Sequence, residues 1–227
     1  MTRRMIFPLI FGLVGAAILI GLGLWQMQRL AWKEVVLQQI ETTISADPVP
    51  LPANPTKDPD QYLPVTLTGT FTGEGLDVLV SRKEIGAGYR VVAVIEADGR
   101  RVLIDRGFLK DEDRAHPRPD ANAGRVTIDG NLLWPVEVDS FTPPPDPKTG
   151  LWFARDLPAM AAALNTEPVF VVQWASTLED SLVEAMPVNT IHIPNNHLGY
   201  AVQWFGLAAV WLGMTGYLLW RIRRRTI

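Results

Sequence analysis

The sequence of 227 residues contains no cysteine. This absence excludes disulfide bonds, thiol redox chemistry, thiolate metal sites and the covalent attachment of c-type haem. The sequence also lacks a P-loop, a dinucleotide-binding fingerprint and the G-x-S-x-G nucleophile elbow of many serine hydrolases. Its net charge of −3 argues against a general nucleic-acid binder. We therefore expect no nucleic-acid partner, and no catalytic motif is evident.

Charged residues are missing from two long stretches of the chain, Ile6 to Trp25 and Leu198 to Trp220. Twenty helical residues span about 30 Å, the thickness of the hydrocarbon core of a bilayer, so both stretches predict transmembrane helices. The alternative for the first is a cleaved signal peptide, but its apolar run is longer than usual and no A-x-A-like site closes it. The alternative for the second is a buried core helix, which its length and lack of charge disfavour.

Basic residues flank the two spans on their outer sides, namely Arg3, Arg4, Arg221, Arg223, Arg224 and Arg225. The positive-inside rule then predicts a bacterial inner-membrane protein whose termini, residues 1–5 and 221–227, are both cytoplasmic. Arg29 and Lys33 follow the first span and oppose this orientation, but the rule is weak beside a long translocated domain. The central part of the chain is accordingly predicted to be periplasmic.

The apolar pattern of the first span continues beyond Trp25, since Leu30, Leu37 and Ile44 recur every seven residues. This spacing predicts an amphipathic helical extension over residues 26–44. Residues 45–62 are rich in proline and predict a linker without regular structure.

Residues 63–194 contain short β-prone runs bounded by turn residues, namely 65–71, 77–83, 89–96, 101–109, 125–133 and 169–175. Asp98-Gly99 lies between two of them and indicates a hairpin turn. Asp156 to Leu164 predicts one helix, with Asp156 as its N-cap and Pro158 in its first turn. The predicted fold is therefore two transmembrane helices flanking a mainly antiparallel, barrel-like β domain with one short helix.

Candidates for catalysis are few in the predicted β domain. Asp105-Arg106-Gly107 follows a strand, and the simplest interpretation is an exposed strand end with an internal ion pair. His116 lies in a polar, proline-rich loop and is expected to be solvated. Neither feature forms a catalytic set, so we predict that the protein is not an enzyme.

The most informative stretch surrounds His197, which opens the second span on the predicted periplasmic side. Tyr200, Ala201 and Trp204 follow at i+3, i+4 and i+7 and share a helical face. A neutral imidazole is a common axial haem ligand, Ala201 would leave room beside a macrocycle, and Trp204 could stack on it. The alternative is an interfacial histidine bonded to Asn195 or Asn196 at the helix start.

A second stretch lies where the first span ends. Trp25, Arg29 and Trp32 occupy positions i, i+4 and i+7. Arg29 would lie at the depth of His197 and could pair with haem propionates. The alternative is a snorkelling arginine that meets lipid phosphate.

Four segments make the chain resemble the surfeit-locus family of cytochrome c oxidase assembly proteins. They are LGLWQMQRLAWK at residues 22–33, VTLTGTF at 65–71, VLIDRGFL at 102–109 and PNNHLGYAVQWFGLAA at 194–209. Their order and spacing agree with the family over nearly the whole chain, and the first and last are the most specific. Phe108 departs from the tryptophan that many members carry after R-G, but it retains an aromatic ring.

The resemblance implies a two-span assembly factor for haem-copper oxidase that binds haem a and helps its insertion into the catalytic subunit. His197 matches the family's proposed ligand of the haem iron, and the match at Trp25, Gln26 and Arg29 implicates the facing segment. The resemblance also suggests contact with the haem a synthesis machinery and with membrane lipid. His192 and Met27 are candidates for a second axial ligand.

Two other functions stay open on the sequence. The first is a cofactor-free scaffold that holds oxidase subunits through the β domain and the spans. The second is a membrane-tethered enzyme, for which Asp105, Arg106 and His116 would be the candidate catalytic residues.

Overall fold

The computed structural model describes residues 3–83, 85–116, 124–191 and 193–224. The chain divides into two compact units. The first contains Met1–Gln39 and Thr190–Ile227, and the second contains Ile40–Asn189. The first unit is helical and the second is built around a β-sheet.

The helical unit consists of most of α1, Arg3–Ile44, together with α4, His197–Arg224. Both helices are long and apolar enough to cross a membrane, which fits the two uncharged stretches. Helix α1 has 42 residues and ends at Ile44, so the predicted helical extension over 26–44 is confirmed.

Small residues allow the two helices to pack closely. The buried positions recur at steps of three, four or seven residues, the spacing of a helix–helix interface. We call them the helix seam: Gly12, Ala16, Gly23 and Gln26 of α1 with Ala201 and Ala208 of α4.

The β unit contains eight strands in the described residues. They are β1 (Val49–Pro50), β2 (Pro64–Arg82), β3 (Gly86–Ala97), β4 (Arg100–Lys110), β5 (Arg125–Leu132), β6 (Leu151–Trp152), β7 (Phe170–Ser176) and β8 (Val183–Glu184). Helix α2 spans Lys57–Asp60, a 3₁₀ turn spans Asp111–Asp113, and α3 spans Leu157–Leu164.

Five of these strands form a closed ring of hydrogen-bonded pairs in the order β2–β3–β4–β7–β5, because β5 pairs with both β7 and β2. The sheet is mixed: β4–β7, β1–β2 and β2–β6 are parallel, and the other pairs in the described residues are antiparallel. The expected mainly antiparallel arrangement therefore holds for most pairs.

Strand β2 serves two partners. Its first part pairs with β5 and its second part with β3, and the register shifts between Phe71 and Gly75. A bulge of this kind bends a strand, so one chain segment can turn from one neighbour to the next. The runs 65–71 and 77–83, predicted as separate strands, are therefore one strand of 19 residues.

Both faces of β3 and β4 are buried. Ile95 and Ile104 point into one apolar cluster, whereas Val94 and Leu103 point into a second cluster that contains Met160 of α3. This double burial explains why the two strands are apolar at consecutive positions. The hairpin between them turns at Asp98-Gly99, where both residues have positive φ, as predicted.

Helix α3 begins as its sequence predicts. The Asp156 carboxylate accepts a hydrogen bond from the backbone N–H of Ala159 at 3.2 Å, and Pro158 lies in the first turn. Asn165 ends the helix in the left-handed conformation.

The proline-rich segment 45–62 is more regular than predicted. Val49 and Pro50 pair with β2, and Lys57–Asp60 forms one helical turn. The Asp60 carboxylate accepts a hydrogen bond from the backbone N–H of Thr56 at 2.7 Å, which compensates for an N–H that the short helix leaves unpaired.

Asp105 and Arg106 lie inside β4, 0% and 2% exposed, so the prediction of an exposed strand end was wrong. Arg90 on the neighbouring strand reaches the Asp105 carboxylate at 2.6 Å, and Arg106 reaches Asp180 at 2.6 Å. These partners allow two charged groups to be buried. His116 is exposed, as predicted.

Candidate functional site

His197 is the first residue of α4, and its ring is held by α1. Its Nδ1 atom lies 2.8 Å from Oε1 of Gln26, a side chain that is only 9% exposed. An amide oxygen accepts a hydrogen bond, so Nδ1 carries the proton in this pair. The Nε2 atom then keeps a lone pair that can bind a metal. The hydrogen bond of the ring therefore goes to Gln26 rather than to Asn195 or Asn196.

The turn before His197 is attached to α1 at a second point. The Lys33 ammonium donates a hydrogen bond to the backbone carbonyl of Pro194. Lys33 follows Gln26 by seven residues and therefore lies on the same face of α1. The segment from Pro194 to His197 is thus fixed by one contact to its backbone and one to its side chain.

The residues after His197 divide between two faces of α4. Ala201 is 1% exposed and belongs to the helix seam, and Trp204 is half-buried on the same side. Tyr200 is exposed. The space expected beside Ala201 is occupied by helix packing, and His197 itself is partly exposed.

Trp25 and Arg29 lie on an exposed face of α1. The guanidinium carbon of Arg29 is 4.0 Å from the ring centroid of Trp32, a cation–π contact. Trp25 adjoins Gln26 in sequence and therefore points in a different direction, whereas Arg29 follows Gln26 by three residues and lies beside the face that carries Gln26. The structure therefore brings His197 to Gln26, while Trp25 and Arg29 are displayed outward.

Of the two candidates for a second axial ligand, the structure describes only Met27. Met27 is exposed on α1. His192 lies outside the described residues, as does Arg225 of the basic tail.

Lys33 was not singled out as a functional residue from the sequence, and Gln26 was named only through the family resemblance, without a partner. Their signal is a polar side chain at a position where the three- and four-residue spacing of the seam calls for a small or apolar one. The partner of Gln26 could not be predicted from the sequence, because Gln26 and His197 are 171 residues apart in the chain.

A family model described as the SURF1 family matches residues 13–209. The chain belongs to the SURF1 family. The matched range contains Gln26, Lys33 and His197 as well as the whole β unit. Family membership fits a role in oxidase assembly, which the resemblance of the four sequence segments implies.

Several SURF1 family relatives cover most of the chain. The human Surfeit locus protein 1 is 30% identical over 221 residues, which cover 87% of this chain and 71% of that protein. The rat protein of the same name is 29% identical over 223 residues, which cover 88% of this chain and 71% of the rat protein. The SURF1-like protein of the bacterium Rickettsia felis is 26% identical over 205 residues, covering 86% of this chain and 89% of its own.

Proposed function

We propose that this SURF1 family member is an assembly factor for a haem-copper cytochrome c oxidase, that it binds haem a, and that it assists haem insertion into the catalytic subunit. The observation that carries the proposal is the imidazole of His197, whose Nδ1 is paired with the Gln26 oxygen, which leaves Nε2 as the ring nitrogen with a lone pair. Family membership supports the oxidase part of the proposal. The protein acts by binding rather than by catalysis.

The residues at the start of α4 fit a haem group. Nε2 of His197 would hold the haem iron, and the half-buried Trp204, seven residues further along α4, would offer an aromatic surface. When bound, haem would supply an iron that can be handed on to the catalytic subunit. The Arg29 guanidinium, exposed on α1, presents N–H donors suited to a propionate.

The proposal includes a placement in the bacterial inner membrane. Two apolar helices and the basic last turn of α4 support cytoplasmic termini. That turn contains Arg221, Arg223 and Arg224. The β unit then faces the periplasm, and His197 opens α4 at the periplasmic interface. The catalytic subunit of the oxidase, the haem a synthesis machinery and membrane lipid are the proposed partners.

The haem proposal is tested by purifying the full chain from cells that make haem a and recording its absorption spectrum. We expect bound haem in the wild type and its loss in His197→Ala. His116→Ala is the matched control, because His116 is an exposed histidine of the β unit. Wild-type protein without haem, or His197→Ala with an undiminished haem content, would overturn the proposal.

A cofactor-free scaffold is the second candidate, and the loop before β6 favours it. Val136 and Phe141 are 80% and 89% exposed. Phe141 is presented by an ordered turn, since its backbone N–H donates to the Asp139 carboxylate at 2.8 Å. For the scaffold candidate, these two side chains are proposed as part of the surface that contacts oxidase subunits.

The scaffold candidate predicts that oxidase subunits co-purify with the full chain and are lost in a Val136→Ser, Phe141→Ser variant. It also predicts that His197→Ala retains them. Thr149→Ser, a conservative change nearby in sequence, serves as the control. Retention of the subunits by the double variant would exclude this surface as the scaffold contact.

A further inference from the structure

Gln26 is a buried polar side chain in a helix face that is otherwise made of small residues. Its neighbours in the helix seam of α1 are Gly12, Ala16 and Gly23. An amide buried among apolar groups costs free energy unless its hydrogen bonds are satisfied. The partner that the structure gives to the Gln26 oxygen is the Nδ1 atom of His197, at 2.8 Å.

This contact determines which nitrogen of the imidazole carries the proton. A neutral imidazole has one N–H donor and one acceptor nitrogen, and the hydrogen bond made by one nitrogen fixes the role of the other. With the Gln26 oxygen as acceptor, the proton is on Nδ1. Without that acceptor, the proton can move to Nε2, and the nitrogen that could bind iron would be blocked.

We propose that Gln26 is the positioning residue of His197, holding its ring in the Nδ1–H tautomer so that Nε2 is ready to bind a haem iron. The inference rests on the proposed haem function for its purpose, but the tautomer itself is a property of the chain without haem. Histidines that bind metals commonly donate their other N–H to an acceptor, which orients the ring and raises its basicity.

Lys33 supports the same arrangement from the backbone. Its ammonium donates to the carbonyl of Pro194, three residues before His197. The ring is therefore held by Gln26 while the start of α4 is held by Lys33. Both side chains belong to one face of α1, so the orientation of His197 depends on the pairing of α1 with α4.

The tautomer can be measured on the full chain in detergent without any haem. Nitrogen-15 NMR of histidine-labelled protein above pH 8 distinguishes a protonated from an unprotonated ring nitrogen. The chain has three histidines, and comparison with His197→Ala assigns the signals of His197. We expect a protonated Nδ1 in the wild type and a shift of the proton towards Nε2 in Gln26→Leu.

Gln28→Leu is the matched control for this experiment. Gln28 has the same side chain, lies two residues after Gln26 in α1 and is exposed. It should leave the His197 signals unchanged. A wild-type His197 protonated on Nε2, or a Gln26→Leu spectrum equal to that of the wild type, would overturn the positioning role.

Haem binding gives a second readout. Full-length protein is titrated with ferric haem b and the Soret band is recorded. Loss of an outer-shell partner of a metal ligand typically lowers metal affinity by about 10- to 100-fold, and we expect this loss in Gln26→Leu. Gln26→Glu retains an acceptor oxygen at the same position and should restore binding, whereas a replacement that merely disturbed packing would not be rescued by it.

The outcomes separate the two proposals. If the wild type takes up no haem but its Nδ1 is protonated through Gln26, the haem function fails and the tautomer assignment stands. If the wild type binds haem through His197 and Gln26→Leu binds it equally well, the positioning role fails and the haem function stands. Far-UV circular dichroism of each variant shows whether the helices have formed.

Discussion

The indole Nε1 of Trp211 donates a hydrogen bond to the backbone carbonyl of Gly12 at 3.0 Å. This contact joins α4 to α1, and Gly15 leaves room for the indole, because a Cβ atom on Gly15 would lie 2.5 Å from Nε1 of Trp211. A Cβ atom on Gly12 would lie 2.2 Å from Cγ2 and 2.9 Å from Cβ of Thr215. The helices therefore approach one another as closely as small residues allow, which is how helices gain contact in lipid.

The absence of native cysteine makes this approach directly measurable. The Cβ atoms of a disulfide are about 3.5–4.5 Å apart, so Gly12→Cys with Thr215→Cys needs only a small shift to form one. We expect the pair to be oxidised rapidly, seen as loss of maleimide labelling. Gly21→Cys with Thr215→Cys is the control, because Gly21 faces open space, and it should stay labelled. Equal labelling of the two pairs would contradict the packing of α1 on α4.

Gly107, in the segment VLIDRGFL, lies at a position that only a glycine fits well. Its φ is 123°, and a Cβ there would lie 2.1 Å from the carbonyl oxygen of Glu184 in β8. Gly107→Ala should therefore lower the unfolding temperature of the β unit, because both the backbone conformation and the space disfavour a side chain.

Gly124→Ala separates the two causes. Gly124 also has positive φ, 65°, but a Cβ there would face open space. It should cost only the conformational penalty, about 1–2 kcal/mol, and Gly107→Ala should cost more. Thermal unfolding of the full chain in detergent, followed by circular dichroism, gives the order; the reverse order would exclude the close contact with β8.

The ion pair between Arg106 and Asp180 is buried on both sides, 2% and 6% exposed, at 2.6 Å. Asp180 also accepts a hydrogen bond from the backbone N–H of Leu182 at 2.9 Å. Asp180→Ala leaves a buried guanidinium without this partner, and we expect a loss of about 3–5 kcal/mol in the free energy of unfolding.

The exposed pair of Lys110 and Glu112 provides the comparison. Glu112→Ala should change the free energy of unfolding by less than about 0.5 kcal/mol, because surface pairs contribute little. Urea denaturation followed by tryptophan fluorescence measures both variants. A loss for Asp180→Ala as small as that for Glu112→Ala would show that the buried pair adds no stability.

Glu137 makes the stability of the β unit depend on pH. Burial opposes ionisation of this carboxyl, but hydrogen bonds and the positive charge of Arg155 outweigh it and hold the pKa of Glu137 below its ordinary value. A carboxyl with a lowered native pKa stabilises the fold above its unfolded pKa, about 4.3, and this stabilisation is lost as pH falls through the native pKa.

Glu137→Gln should remove this contribution. We expect the wild type to exceed the variant in stability at pH 6 by less than about 1 kcal/mol, since the side chain is 38% exposed, and the difference to be smaller at pH 3. The midpoint of urea denaturation at the two pH values measures the effect. A constant difference between wild type and variant would show that ionisation of Glu137 contributes nothing.

Local sequence signals predicted a large part of the fold. The seven-residue recurrence of Leu30, Leu37 and Ile44 predicted the end of α1, and Asp98-Gly99 predicted a hairpin, because both features depend on neighbouring residues only. The bulge that joins 65–71 and 77–83 into β2 was missed, since Gly73 and Gly75 resemble a turn between two strands.

The contacts that decide the site and the buried charges depend on distant residues. Asp105 was expected at an exposed strand end because its partner Arg155 lies 50 residues away, and Arg106 meets Asp180 at a separation of 74. The role predicted for His197 at the start of the second span stays a prediction. The bond of His197 to Gln26 required the packing of two helices, which no local pattern specifies.

The separation of 171 residues between Gln26 and His197 has a consequence for biogenesis. Ribosomes add about 5–20 residues per second, so α1 exists for roughly 10–30 s before His197 is made. During that interval the amide of Gln26 has no imidazole to accept from. The contact between Gln26 and His197 can therefore form only after the start of α4 has been synthesised.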